Sequence, residues 1–301
     1  MYAYTTGALG MATSTDQLTY GDTSWKDLLT AYNGNTITYD GGGNPLTYNG
    51  WTYTWQQGRE LASAKNSSCN ISYTYNDAGL RTSKTVNGVT TNYLLDANGN
   101  ILRQSDGTNT LWFYYDASGS PVSLEFNGVA YYYTFDGQGE ITGIMDASGT
   151  NLVVRYIYDA YGNVTVSGSL AGTVGAANPL RYKDYIYDNE TGLYYLQSRY
   201  YSATWGRFLN ADCIVDTQDW ANSANMFAYC WNNPVVNVDF NGTQVVKTFK
   251  KDSSWRSIIL SDYFLIPVGP WWDTNVTTMI HASWSNQYAV SVSIGLVYCV
   301  I

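Results

Sequence analysis

Between residues 35 and 160 apolar and polar positions alternate in short runs. Trp51, Tyr53 and Trp55 fall on one side of such a run and Thr52 and Thr54 on the other, while Tyr131, Tyr133 and Phe135 alternate with Tyr132 and Thr134. A period of two marks a strand, because successive side chains leave opposite faces of a pleated backbone. The interruptions are regular as well. An aromatic or aliphatic residue, an Asp or Asn, two variable residues and a Gly recur as Tyr39-Asp40-x-x-Gly43, Tyr75-Asn76-x-x-Gly79, Leu95-Asp96-x-x-Gly99, Tyr115-Asp116-x-x-Gly119, Phe135-Asp136-x-x-Gly139, Met145-Asp146-x-x-Gly149 and Tyr158-Asp159-x-x-Gly162. From Asn76 to Asp136 the step is 20 residues each time.

This repeat predicts stacked hairpins. A carboxylate or amide at the strand end accepts backbone N–H groups two residues on, and the glycine three positions later supplies the positive φ of the reversal. Ile101, Leu102, Val122, Leu124, Ile141 and Ile144 then belong to returning strands. The expected fold class is all-β: a curved antiparallel sheet over about residues 35–205, followed by a compact plug at 206–242. Aromatic residues on both faces at some positions imply that the sheet either curls around a cavity or packs against something else. Residues 1–38 are the least regular, with one short helical turn expected near Trp25–Leu29, and 163–178 are expected to form a loop.

Composition supports the strands: 29 Tyr, 11 Trp and 28 Gly stand against 6 Pro, a balance suited to short strands and glycine turns. The net charge is −9. Residues 243–301 hold four basic and three acidic side chains, which leaves eleven against twenty-one, or −10, on the body. An acidic body lacks the footprint of a nucleic-acid binder, and the change in charge supports a boundary near Gly242. Cys69, Cys213, Cys230 and Cys299 show no paired spacing and have only His281 to join them, so buried free thiols are expected and no metal or cofactor. No signal peptide is visible at Met1. The apolar run Tyr288–Ile301, broken by Ser291, Ser293 and Gly295, reads as a buried strand pair.

Residues 178–242 are different in texture. They contain Tyr187-Asp188-x-Glu190-Thr191-Gly192-Leu193-Tyr194-Tyr195, Arg199-Tyr200-Tyr201, Gly206-Arg207-Phe208, Asn225-Met226-Phe227-Ala228-Tyr229 and Asn232-Asn233-Pro234. Two aromatic strands joined by a turn at Gly192 are expected, the second running to about Tyr201, and then a short helix over Met226, Phe227 and Tyr229 capped by Asn222 or Ser223. In kind and order these motifs resemble the core that ends the shell of RHS/YD-repeat proteins, which are related to polymorphic toxins and to the C subunits of insecticidal toxin complexes. The resemblance implies a spiral sheet forming part of a hollow shell, divided here into repeats (1–177), core (178–242) and a variable C-terminal region (243–301). It also implies that the chain is a fragment of a longer, extracellular or cell-surface shell protein that encloses or presents a C-terminal effector, with an immunity protein as a candidate partner.

The core of such proteins often acts as an intramolecular aspartyl peptidase. Its two Asp-Pro motifs map onto Asp212-Cys213-Ile214-Val215 and Asp239-Phe240-Asn241-Gly242, and both prolines are absent here. Asp212 and Asp239 are the candidate acids, Asp216 and Asp219 candidate partners, and Arg207 the candidate orienting charge, since two nearby carboxylates can divide acid and base roles between them. The expected cut lies near Gly242. Without the prolines, loss of this activity is expected. The sequence has no G-x-S-x-G elbow and no phosphate-binding loop. The abundant aromatics supply an alternative function, a cell-surface adhesin binding glycans. The tail lacks the His, Cys and acidic clusters of nuclease or deaminase toxins, and a non-enzymatic or truncated tail is expected.

Overall fold

The structure is a computed structural model that describes residues 15–212 and 225–243, together with the strand segments Val245–Lys247, Ser257–Ile259, Leu265–Pro267, Ser283–Trp284, Tyr288–Ser293 and Leu296–Val300. Sixteen strands, from Leu18–Thr19 to Val164–Ser167, form one antiparallel sheet in which every strand pairs with its neighbours in sequence. It is a meander that does not close, and it stops at Ser167, short of the expected residue 205. The aromatic segment beyond builds a separate four-stranded sheet from Ile186–Asp188, Leu193–Leu196, Arg199–Ser202 and Arg207–Phe208.

Each Asp-x-x-Gly unit forms the same turn. The Asp96 carboxylate accepts the amides of Asn98 at 2.8 Å and Asn100 at 2.9 Å, and the Gly99 amide donates to the Asp96 carbonyl at 3.2 Å. Asp40, Asn76, Asp116, Asp136, Asp146 and Asp159 head equivalent turns, closed by amides of Gly43, Gly79, Gly119, Gly139, Gly149 and Gly162. At Asp116 and Asp146 the hydroxyls of Ser118 and Ser148 also donate to the carboxylate, and these bonds, together with the backbone amides, hold both carboxyls below the usual range. The opposite ends of several hairpins use Asn-Gly turns, with Asn87 and Asn127 at positive φ. Each of these asparagines accepts an amide from the hairpin before it, Asn70 and Thr110 respectively, at 2.8 Å.

The aromatic residue before the turn has its own role. The Tyr75 phenol donates to the Leu61 carbonyl, Tyr115 to Ile101, Tyr158 to Ile141, and the Trp55 indole N–H to Pro45. Each acceptor sits at or beside the head of an earlier returning strand, so the side chain fastens successive repeats as well as filling the interior. The strand register slips by one residue just before Tyr39, Trp55, Tyr75, Tyr115 and Phe135. Such bulges increase twist and bend the sheet.

The curved inner face is apolar and packs on the plug. Ile37, Tyr53, Leu61, Ile71 and Tyr73 meet Leu193, Tyr195, Tyr200, Trp205 and Leu209; Ile101, Phe113, Leu124, Ile144 and Tyr156 meet Val174 and Leu180. A third cluster, including Tyr182, Tyr185, Tyr194, Tyr201, Phe208 and Tyr229, is the plug's own core. Of the two possibilities for aromatics on both faces, the inner ones pack against the plug.

Several local expectations need correction. Residues 26–27 make only a turn, closed by the Leu28 amide on the Trp25 carbonyl, and residues 15–38 contribute strands to the sheet. The segment 163–178 holds the last strand, Val164–Ser167, and a helical turn, Val174–Ala177, because Val154 and Tyr156 offer an apolar seat for Val174. The strand expected to run to Tyr201 turns at Gln197 and Ser198 and becomes two. No helix covers Met226, Phe227 and Tyr229. The Phe208 amide donates to the Phe227 carbonyl and Ala228 bridges Arg207, so tertiary pairing overrides local helix propensity. Asn222, Ser223, Cys213 and His281 lie outside the described residues. Cys230 is buried and free, its thiol pushed up to about 12 by burial, whereas Cys69 is free but only half-buried. Tyr288–Ser293 and Leu296–Val300 pair as an antiparallel hairpin. Among the described residues no helix is long and apolar enough to cross a membrane, and no cluster of acidic, His and Cys side chains could hold a metal.

The plug is locked to the sheet by a buried ion pair. Arg81, on the inner face, places Nη1 2.6 Å from Asp188 Oδ2 and Nη2 3.1 Å from Oδ1, with both side chains 1% exposed. Lys84 bridges Asp188 at 3.1 Å and Glu190 at 2.8 Å. The paired cations overcome the cost of burial and hold the Asp188 carboxyl below its ordinary range. Replacing Asp188 by Ala should cost about 3 to 5 kcal/mol, because it leaves a buried guanidinium uncompensated. Chemical denaturation of the single variant and of Arg81→Met/Asp188→Leu will check this: the double variant should recover most of the loss.

Candidate functional site

The turn Asp239–Gly242 lies between Asn237–Asp239 and Val245–Lys247, which pair as an antiparallel hairpin, and the groups that hold this turn come from the Leu196–Arg199 corner. Arg199, 3% exposed, stacks on the Phe208 ring at 3.5 Å from its centroid. From there Nη2 reaches Asp212 Oδ2 at 2.9 Å and Asp239 Oδ2 at 3.4 Å, Nη1 donates to the Met226 carbonyl at 3.1 Å, and Nε donates to the Gly242 carbonyl. One guanidinium therefore gathers both candidate acids and the carbonyl of the expected cleavage region. Asp239 is fully buried, and its Oδ1 accepts the Gly242 amide at 2.8 Å. The Asp239 amide donates to the Tyr185 phenol at 3.2 Å. Ser198 grips the preceding carbonyl, Asn241, with Oγ at 2.7 Å and its amide at 3.2 Å.

Asp212 and Asp239 thus share one cation, and their facing oxygens are no further apart than two hydrogen bonds end to end. Arg207 stands elsewhere. It donates to the Tyr20 phenol at 2.8 Å and the Asp27 carbonyl at 2.6 Å and stacks on Phe227, so it pins the first described strands to the plug. Asp216 and Asp219 lie outside the described residues. Arg199 and Ser198 were missed by the sequence reading. Arg199 opens the Arg-Tyr-Tyr motif, but nothing local distinguishes an arginine that clamps a distant turn from one that decorates a strand.

A second polar cluster lies on the other side of this turn. Lys183 and Asp184 take the left-handed conformation, at φ 49° and 62°, and line a cavity of about 630 Å³ that extends to Gly99, Tyr115, Phe240 and Asn241. Lys183 pairs with Glu140 at 3.3 Å. Burial first, then the charges of Glu140 and Asp136, push the Asp184 carboxyl up to about 8. A raised acid binds its proton in the folded state where the unfolded state has lost it. Stability should therefore fall as pH rises from about 4 toward 8 and level off above. Asp184→Asn, which keeps the shape and tolerates this φ, should flatten that slope in denaturation series taken across the range; an unchanged slope would mean that another group carries it.

Residues 102–235 match the Teneurin YD-shell family. Over 220 residues, 71% of this chain, the sequence is 38% identical to the tRNA3(Ser)-specific nuclease WapA of Bacillus spizizenii. Over 252 residues, 77% of this chain, it is 34% identical to the tRNA(Glu)-specific nuclease WapA of Bacillus subtilis subsp. natto. The chain spans only 9% and 11% of those relatives' lengths. The Photorhabdus luminescens Tc holotoxin pore shares the fold at a TM-score of 0.53 and 20% identity, over 73% of this chain and 11% of that one. The crystal structure of TcdB2-TccC3-TEV does so at 0.56 and 20%, over 76% of this chain and 13% of that one.

Proposed function

This chain is an RHS/YD-repeat shell protein related to toxin-complex subunits, and from that premise we propose that it is the closing part of a shell that encloses or presents the polypeptide following Gly242. The observation that carries the reading is the grip on the turn by which the chain passes beyond Gly242, the exit turn: Ser198, Arg199 and Asp239 hold the backbone of Asn241 and Gly242, and Val245–Lys247 beyond it pairs back onto Asn237–Asp239. A plug sealed to the inner face by Arg81–Asp188 and by the phenols of Tyr182, Tyr194 and Tyr201 on the Ala160, Gly162 and Tyr161 carbonyls gives such a shell a rigid end. The division at 177 and 242, the extracellular placement and the immunity partner belong to the same proposal. The nuclease names belong to relatives of which this chain spans about a tenth. The −10 body would repel a polyanion, so in this reading it encloses and does not bind RNA. Truncating the full-length toxin that carries this segment after Gly242 should abolish growth inhibition of target cells while leaving the shell folded; undiminished inhibition would defeat the delivery reading.

The Arg199 cluster supports intramolecular cleavage near Gly242. In that chemistry one carboxylate takes a proton from water as the other donates to the leaving amide nitrogen, and Arg199 on the Gly242 carbonyl supplies positive charge where an oxyanion develops if that peptide is the one cut. Neither carboxylate is followed by proline here. Intact mass of the purified chain should show a fragment of about 59 residues beginning near Thr243, and Asp212→Asn should remove it. A single full-length species from the unmutated chain would retire the activity.

A second reading, glycan adhesion, is favoured by one feature of the outer face. Tyr114 and Tyr132, each about half exposed, flank Ser123 on the strand between them, and Trp112 stands nearby, 40% exposed. A glycan-array signal that survives truncation at Gly242 and disappears in Tyr114→Ala/Tyr132→Ala would favour it.

A further inference from the structure

We propose that Asn241 is a fold-directed deamidation site, at which the exit turn converts its own asparagine to an acidic residue. The sequence contains six Asn-Gly pairs, beginning at Asn33, Asn49, Asn87, Asn98, Asn127 and Asn241. Such pairs are chemically susceptible because the glycine amide nitrogen can reach the side-chain carbonyl carbon unhindered by a Cβ. Four of them, at Asn33, Asn49, Asn87 and Asn127, are hairpin turns with the asparagine at positive φ. In three of these the side-chain oxygen accepts an amide from the preceding hairpin. At Asn98 the following amide, Gly99, donates to a neutral backbone carbonyl, that of Asp96.

Asn241 differs at the nucleophile, and at the electrophile by one added donor, the Thr243 hydroxyl. The nucleophile, the Gly242 nitrogen, gives its N–H to the buried Asp239 carboxylate at 2.8 Å. The carbonyl of that same peptide, Asn241 O, accepts two hydrogen bonds from Ser198, and both contacts favour the deprotonated, imidate form of the amide. The electrophile is polarised as well: Asn241 Oδ1 accepts the Thr243 amide at 3.2 Å and the Thr243 hydroxyl at 2.8 Å, which would stabilise a developing oxyanion. Asn241 itself is exposed, so water reaches it and ammonia can leave.

The step balances without a cofactor. The Gly242 nitrogen bonds to Asn241 Cγ as its proton passes to Asp239. The Cγ–Nδ2 bond breaks and ammonia departs with that proton. Water then opens the five-membered imide at either carbonyl, leaving aspartate or isoaspartate. The product places a new negative charge beside Asp239 at the Arg199 clamp, and the isoaspartyl form adds a backbone carbon to the turn between Asn237–Asp239 and Val245–Lys247. This inference goes beyond the cleavage reading, since no peptide bond is cut.

Ageing the full chain at neutral pH and mapping its peptides, with isoaspartyl methyl transfer as the second readout, tests the proposal. Conversion at Asn241 should run about tenfold or more ahead of Asn87 and Asn127 in the folded protein, the lead should vanish in urea, and Ser198→Ala should slow Asn241 alone. Comparable rates at Asn87 or Asn127, a faster Asn241 reaction on unfolding, or an unchanged rate in Ser198→Ala would overturn it. Self-cleavage gives a peptide ending near Gly242, and deamidation gives one that spans the junction, so the two outcomes separate in the same map.

Discussion

The buried pair of Arg81 and Asp188 is the constraint on which the rest of the molecule turns. A guanidinium on the concave face of a sheet is costly to desolvate, and only a carboxylate delivered to it in bidentate geometry, with further partners around it, makes the burial tolerable. The ring centroids of Tyr73, Tyr93 and Tyr195 lie within 5.4 Å of the guanidinium carbon Cζ, and the Tyr200 phenol accepts from Nη1 at 3.3 Å. The two charges are 107 residues apart in sequence. The sheet must therefore have curled, and the plug must have folded with its Tyr-Asp turn facing inward, before the pair can form. A plug set down in any other position would leave both charges buried and unpaired, so the contact penalises misplacement more than it rewards assembly.

That logic extends outward through the tyrosines. In the repeats, the phenols of Tyr75, Tyr115 and Tyr158 reach an earlier strand head; in the plug, Tyr182, Tyr194 and Tyr201 reach the carbonyls of the turn Asp159–Gly162. The ring fills an apolar interior while the hydroxyl satisfies a backbone acceptor that the curvature has removed from water, a combination that neither Phe nor Leu offers. Gly162 shows how close the fit is, since a Cβ there would lie 2.6 Å from the Tyr182 ring. The abundance of tyrosine thus has a mechanical cause inside the shell, and among the described residues the half-exposed Tyr114 and Tyr132 stand outside that role.

This division explains what could be read in the sequence. The hairpins were legible because their determinants are local: an Asp or Asn and a Gly at fixed spacing, with alternation between. The end of the sheet was not. Strands after Ser167 are as rich in tyrosine as those before it, and the three-dimensional fit of Leu193–Ser202 into the concave face, where every position of both strands is buried, assigns them to the plug. The helix expected over Met226–Tyr229 failed for a related reason, as the Phe208–Phe227 pairing is invisible in a local window. At the candidate site, the acids came from motif order, whereas Arg199 and Ser198 act on a turn 43 residues away, and no spacing rule reports such a contact.

The exit turn is where these constraints converge on chemistry. Holding Gly242 rigidly requires its carbonyl, its amide and the preceding carbonyl each to have a partner, because a buried unpaired backbone group costs roughly 1 to 3 kcal/mol. Arg199, Asp239 and Ser198 meet that structural need, and the same three contacts polarise the backbone they hold. A cation on a carbonyl and a carboxylate on an amide are what an anchor needs, and they are also what lowers the barrier to attack on or by that amide. Structural grip and latent reactivity are the same set of hydrogen bonds. Any substitution that quiets the chemistry at this turn is therefore bound to loosen the anchor as well.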